Sequence, residues 1–138
     1  MGETEEELFS IVETLCPLLP EDRPRYLMGV GKTEQLRKAI ALGIDMFDCV
    51  LPMREARHGT LYLSNGDRIR ILSSQFAHDH TPIDPQSPAL TSRHHLRSYL
   101  HHLLRIQERL GETLACMQNL GVTLHEIRVL RGEIETSE

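Results

Sequence analysis

The apolar positions of the chain switch between two periods. Leu8, Ile11, Val12 and Leu15 recur at helical spacing, which predicts an amphipathic helix over residues 4–16. Thr4 is its candidate N-cap. Glu5, Glu6 and Glu7 suit the positive end of the helix, and Pro17 and Pro20 end it. Arg25 to Val30 reads as a short strand with Gly29 and Gly31 in the turn that follows. Thr33 caps a predicted helix over 34–42, with Leu36, Ile40 and Leu42 facing inward and Gly43 at its end. Met46 to Leu51 is a second strand, stopped by Pro52, which cannot donate to a ladder. Its apolar run lacks alternation, as in a parallel strand buried on both faces, and a basic loop follows. Strand, helix, strand in this order is a β/α repeat of the barrel or doubly wound class.

After Thr60 the period becomes two. Leu61 and Leu63, then Ile69 and Ile71, flank the turn sequence Ser64-Asn65-Gly66-Asp67, which predicts a hairpin. Residues 73–92 are rich in Ser, Pro and His and read as a long loop. A helical pattern then runs to about Leu110 on Leu96, Tyr99, Leu100, Leu103, Leu104 and Ile106. Gly111 and Gly121 punctuate two further helical segments, and the tail from Gly132 is expected to fray. The division expected from these patterns is 1–59, carrying the strands, and 60–138, carrying the hairpin, loop and helices.

Composition narrows the function classes. With 138 residues, 40% of them hydrophobic, the chain is an ordinary globular sequence of one small domain or part of a larger one. A net charge of -5 and only 4% aromatic residues argue against a bulk polyanion binder or a base-stacking surface, so nucleic-acid contact would need local basic patches. Cys16, Cys49 and Cys116 are odd in number and widely spaced, which disfavours a disulfide framework or a cysteine-type zinc site and makes a reducing cytoplasm the default location. No apolar run is long enough to span a membrane, and the acidic N-terminus lacks a signal region.

The odd residue is Asp48, a carboxylate within the second apolar strand. A lone aspartate is most often salt-bridged or capping, because burying a carboxylate is costly unless it is paired or functional. Its neighbours weaken that reading. Asp48 sits at the C-terminal end of a strand, and Arg54, Arg57 and His58 follow it. Parallel α/β folds bind ligands outside the carboxyl ends of their strands.

Residues 45–59, DMFDCVLPMREARHG, closely resemble the DMFDCVLPTRxxRNG-type signature of tRNA-guanine transglycosylases, the queuine tRNA-ribosyltransferase family. Met53 and His58 replace the usual Thr and Asn. Residues 18–31 match the family as well, and Gly2-Glu3 match the end of its GLAVGE-type segment. The resemblance implies an α/β fold in which the two strands are the last of a (β/α)8 TIM-type barrel, followed by a hairpin and C-terminal helices. It implies base exchange at guanine in a tRNA anticodon, in the queuosine pathway. Asp48 would be the covalent nucleophile, Arg54 and Arg57 would contact the anticodon loop, Tyr26 and Met28 would line the base pocket, and Glu3 would support the base-recognition loop.

Two departures qualify the resemblance. The family's structural zinc is held by a CxCxxC group and a later histidine. Alignment on Pro82-Ile83-Asp84 and Tyr99-Leu100-His101-His102 puts those positions at Ser87, Ala89, Ser92 and Gln118, so the zinc site is expected to be lost and no cofactor is expected. The histidine pairs His94-His95 and His101-His102 share helix faces but lack the convergent ligands that a metal needs. The second departure is size. A full barrel takes roughly 250 residues, and two strands would leave edges exposed. The chain is therefore expected to self-associate or to pair with an N-terminal fragment, and to be inactive alone. The alternative reading is a non-catalytic, degenerate RNA-contacting or accessory module.

Overall fold

The computed structural model describes residues 4–136, and Glu3 lies outside them. The chain divides into two compact units, Met1–Val50 and Leu51–Glu138. It is a mixed helix and strand structure with two small sheets. No helix among the described residues is long and apolar enough to cross a membrane.

The first unit begins with α1, Glu5–Leu15. Its start is a capping box: the Glu7 N–H donates to Thr4 Oγ1 at 3.2 Å, and Thr4 N–H donates to Glu7 Oε2 at 2.7 Å. The buried stripe keeps Val12 of the expected one but is otherwise different. Phe9, Val12 and Cys16 go inside, whereas Ile11 and Leu15 are exposed. Phe9 is a larger apolar body than either, so burying it gains more. Two three-residue strands follow, β1 (Tyr26–Met28) and β2 (Met46–Asp48), with α2 (Thr33–Ala41) between them. They pair in parallel, Met28 opposite Asp48. Leu27 and Phe47 pack on a core of Phe9, Val12, Cys16, Ala39 and Ile44. Tyr26, Met28, Met46 and Asp48 point the other way and are exposed. Burial of β2 on both faces, expected from its sequence, is thus corrected: only one face is covered, because a two-stranded sheet has helices on one side alone.

In the second unit the expected basic loop is a helix, α3 (Leu51–Arg57), with Pro52 in the first turn, where its missing N–H is harmless. The hairpin forms as read, from β3 (Thr60–Tyr62) and β4 (Arg68–Arg70). The loop of 73–92 contains a 3-10 turn at Ser74–Phe76 and leads into α4, Leu90–His94. The single helix expected to run to Leu110 is instead α4 and α5, Arg97–Arg105. Between them Leu96 bridges to Pro82, and Ile83 N–H donates to His95 O at 2.8 Å. A left-handed Gln107 separates α5 from α6, Arg109–Glu135.

Gly111, Gly121 and Gly132 do not break α6, which continues past Gly132 to Glu135. Two of these glycines serve close approach. A Cβ at Gly111 would meet Leu103 Cβ at 2.8 Å, and one at Gly121 would meet Ala89 Cβ at 3.1 Å. The core beneath is Ala56, Leu61, Ile71, Phe76, Ile83, Leu100, Leu103, Leu114 and Ala115. Two histidines serve packing: His95 Nδ1–H donates to Thr91 O at 2.7 Å with its ring stacked on Tyr99, and His101 Nδ1–H donates to Ile71 O at 2.8 Å.

Candidate active site

One aspartate, Asp45, lies just before the second strand and another, Asp48, ends it, and their surroundings separate their roles. Asp45 is structural: its Oδ2 accepts the Arg25 N–H at 2.8 Å, and the Arg25 guanidinium in turn donates to Leu19 O at 3.0 Å and Pro20 O at 3.3 Å. Asp48 has no such backbone staple on its side chain. Its main-chain oxygen accepts from Gly29 N–H at 2.9 Å, which fixes the strand end. Its carboxylate lies on the open face, where Oδ1 accepts from Tyr26 Oη at 2.6 Å. Among the described residues Oδ2 accepts no hydrogen bond.

The pairing of β1 with β2 creates this contact. Side chains alternate across a strand, so Tyr26 and Met28 share a face with Met46 and Asp48. The result is a carboxylate flanked by a phenol and two thioethers. The hydrogen bond to Asp48 raises the Tyr26 pKa, with burial and the negative charge of Asp48 adding to it. Tyr26 therefore stays a neutral donor at physiological pH. It orients one carboxylate oxygen and leaves the other open to attack an electrophile.

The position of Asp48 also depends on Gly31. A Cβ there would stand 2.5 Å from Cys49 Cβ and 2.7 Å from Cys49 Sγ. Cys49 adjoins Asp48, and its thiol faces Gly29 O at 3.6 Å. Gly31→Ala is expected to push the strand end out of register and to destabilise the unit by about 1–3 kcal/mol, as overpacking does. Urea unfolding of the variant, compared with the unsubstituted chain, checks this.

The expected cations Arg54 and Arg57 are exposed on α3, in the second unit. Arg54 lines an open groove of about 570 Å³ with Glu55, His58, Thr60, Arg68 and Arg70. Arg68 is tied to Glu55 at 3.1 Å and lies over the Tyr62 ring, 4.5 Å from its centroid. Arg54 and Arg70 form no ion pair among the described residues. Arg68 and Arg70 were not singled out in the sequence, although the alternation Arg68-Ile69-Arg70 puts both on one strand face. Arg57 borders a separate cavity of about 350 Å³ with Met53, Cys116, Met117 and Leu120. Burial pushes the Cys116 thiol pKa up there, against the opposing pull of Arg57.

A family model described as "Queuine tRNA-ribosyltransferase" matches residues 1–138. The chain belongs to the queuine tRNA-ribosyltransferase family. Among curated proteins of that name, one from Synechococcus is 53% identical over 120 residues, 87% of this chain and 32% of the relative. One from Vibrio campbellii is 49% identical over 135 residues, 98% of this chain and 35% of the relative. One from Brucella suis is 42% identical over 134 residues, 97% of this chain and 35% of the relative. The chain thus spans about a third of the length of these queuine tRNA-ribosyltransferases.

The four positions to which the resemblance carries the queuine tRNA-ribosyltransferase zinc ligands lie close to one another. Ser87, Ser92 and Gln118 are fully buried. Ser87 Oγ donates to Gln118 Oε1 at 2.7 Å and accepts from Ala89 N–H at 3.0 Å, while Ser92 N–H donates to Ala89 O at 3.0 Å. Structural zinc is held by thiolates and imidazoles. Two neutral hydroxyls, one amide and an alanine do not fit it.

Proposed function

We propose that this chain is the nucleophile-bearing part of a tRNA-guanine transglycosylase, acting at guanine in a tRNA anticodon. The observation that carries the reading is the Asp48 carboxylate, exposed at the C-terminal end of a parallel strand and held by Tyr26 through one oxygen only. In this reading β1 and β2 are the last two strands of a (β/α)8 barrel. Their open face, with Tyr26, Met28 and Met46, is covered by further barrel strands from the same or another polypeptide.

The free oxygen of Asp48 bonds to the anomeric carbon of the guanosine ribose. The bond from that carbon to guanine breaks, and the base leaves with the electron pair and takes up a proton. The incoming base then gives up its ring N–H proton, attacks the same carbon through that nitrogen and releases the carboxylate, as in retaining glycosyl transfer. Tyr26 and Met28 flank the base, Arg54 and Arg57 hold the anticodon loop, and Glu3 supports the base-recognition loop. Two strands supply only part of that pocket. The 138-residue chain alone is therefore expected to exchange no guanine. Radiolabelled guanine incorporation into tRNA by a chimera, in which this chain replaces the matching third of the Vibrio campbellii relative, tests the function. An inactive, folded chimera would contradict it.

One observation favours a second reading, an RNA-contacting module without catalysis. The groove of Arg54, His58, Arg68 and Arg70 is complete within the second unit and needs no further strands. Under either reading it contacts phosphates, so RNA binding should weaken as salt rises. Arg54→Ala and Arg70→Ala are each expected to reduce the slope of log K against log salt by about 0.7–0.9. Titration of an anticodon stem-loop at several KCl concentrations measures it, and an unchanged slope in both variants would remove the groove from RNA contact.

A further inference from the structure

We infer that the second unit is closed by a buried hydrogen-bonded knot of Ser87, Gln118 and Asp84, standing where family members carry zinc, so that this chain folds without the metal. The inference concerns how the unit is held together and is independent of whether Asp48 is catalytic.

The knot joins three segments that are distant in sequence. Gln118 comes from α6, Asp84 and Ser87 from the loop before α4, and Tyr62 and Ser64 from the hairpin. Both hydrogens of Gln118 Nε2 are used, one on Tyr62 O at 2.6 Å and one on Asp84 Oδ2 at 3.1 Å. Its Oε1 accepts from Ser87. Asp84 also accepts from Ser64 N–H at 2.7 Å, Ser64 Oγ at 2.9 Å and Gln86 N–H at 3.2 Å. Burial alone would push the Asp84 pKa up, but these bonds outweigh it and hold the carboxyl below its ordinary value. Asp84 is thus an anion whose acceptor sites are taken.

Every polar atom of Ser87 and Gln118 is therefore engaged, and a metal could be bound only by breaking these bonds. A fully satisfied buried network fixes segments much as a structural metal does, without the need for thiolates. Ser92 is the exception. Its Oγ is buried and has no hydrogen-bond partner among the described residues. Serine differs from cysteine by one atom, so Ser92 keeps the shape of a ligand residue without taking part in the knot.

This asymmetry gives a test on the purified 138-residue chain, expressed with added zinc. Metal content is measured, and thermal unfolding is followed with and without EDTA for the unsubstituted chain, Ser87→Ala and Ser92→Ala. The expected result is no stoichiometric zinc and the same Tm in EDTA. Ser87→Ala, which orphans the Gln118 Oε1 and the Ala89 N–H, should lower Tm by about 5–10 °C. Ser92→Ala, which removes an unpaired buried hydroxyl, should leave Tm unchanged or raise it. If Ser87→Ala does not fold, Ser87→Thr, which keeps the hydroxyl, should fold and recover most of the Tm. One tightly bound zinc with a Tm that falls in EDTA would overturn the inference. So would Ser87→Ala as harmless as Ser92→Ala, or Ser87→Thr as damaging as Ser87→Ala.

Discussion

In the chimera with the Vibrio campbellii relative, Asp48→Asn is expected to lower guanine exchange by at least about a thousandfold, since covalent catalysis cannot proceed without its nucleophile. The amide keeps the shape of the side chain and can still accept from Tyr26 Oη through its oxygen. It cannot bond to the anomeric carbon in a way that the second base reverses. The effect should therefore fall on kcat, with tRNA affinity little changed, because the proposed cationic contacts are those of Arg54 and Arg57. Asp45→Asn serves as the contrast. Asp45 is bonded to the Arg25 backbone, so its substitution should reduce stability and leave the exchange rate of the folded fraction near that of the unsubstituted chimera. Single-turnover kinetics on both variants separates these outcomes. Equal losses in the two would remove Asp48 from its assigned role.

Asn119→Ala is expected to be the most damaging single change to stability, at about 3–5 kcal/mol, a large part of what holds a domain folded. Asn119 is fully buried on α6. Its Oδ1 accepts from Tyr62 N–H at 2.8 Å, and its Nδ2 donates to Pro52 O and Thr60 O, each at 2.9 Å. One side chain thus serves backbone groups at the start of α3 and at both ends of β3. Truncation removes all three of these bonds, and packing as well. His125→Ala, exposed on the same helix, should change stability by less than about 0.5 kcal/mol, as surface substitutions do. Urea midpoints of the two variants check this, and similar midpoints would contradict it.

Local chemistry was readable in the sequence where it acts alone. Thr4 is the expected N-cap, and it caps α1. Ser64-Asn65-Gly66-Asp67 between alternating apolar residues is a hairpin turn, and it forms. Readings failed where a distant segment decides. Gly111 and Gly121 look like helix breakers, yet each lets α6 approach another segment, Leu103 in one case and Ala89 in the other. The helical cost of glycine, about 1 kcal/mol, is offset by that packing. The pattern across His95 and Leu96 is helical, but their backbone is used by Pro82 and Ile83 instead.

The candidate site shows the same division. Asp48 stands out as a charge in an apolar run, but Pro52 puts the expected strand end at Leu51, whereas β2 stops at Asp48 and Leu51 opens α3. The sequence places Asp48 within the strand and Asp45 just before it, but it does not show what each carboxylate bonds to. Those partners, Tyr26 for Asp48 and Arg25 for Asp45, lie 22 and 20 residues away and are brought in by the parallel pairing. Asn119 and Gln118 carried no local signal of their buried roles, since an amide in a helix reads as a surface residue. Gln118 drew notice only through the family alignment.

The most direct test of the nucleophile is to trap it. The chimera is incubated with an anticodon stem-loop RNA, denatured without added base, and resolved for an RNA–protein adduct, which is then digested and mapped by mass spectrometry. The account predicts an adduct on the peptide containing Asp48, lost in Asp48→Asn and retained in Asp45→Asn. An adduct that maps to another residue, or one that survives in Asp48→Asn, would contradict it.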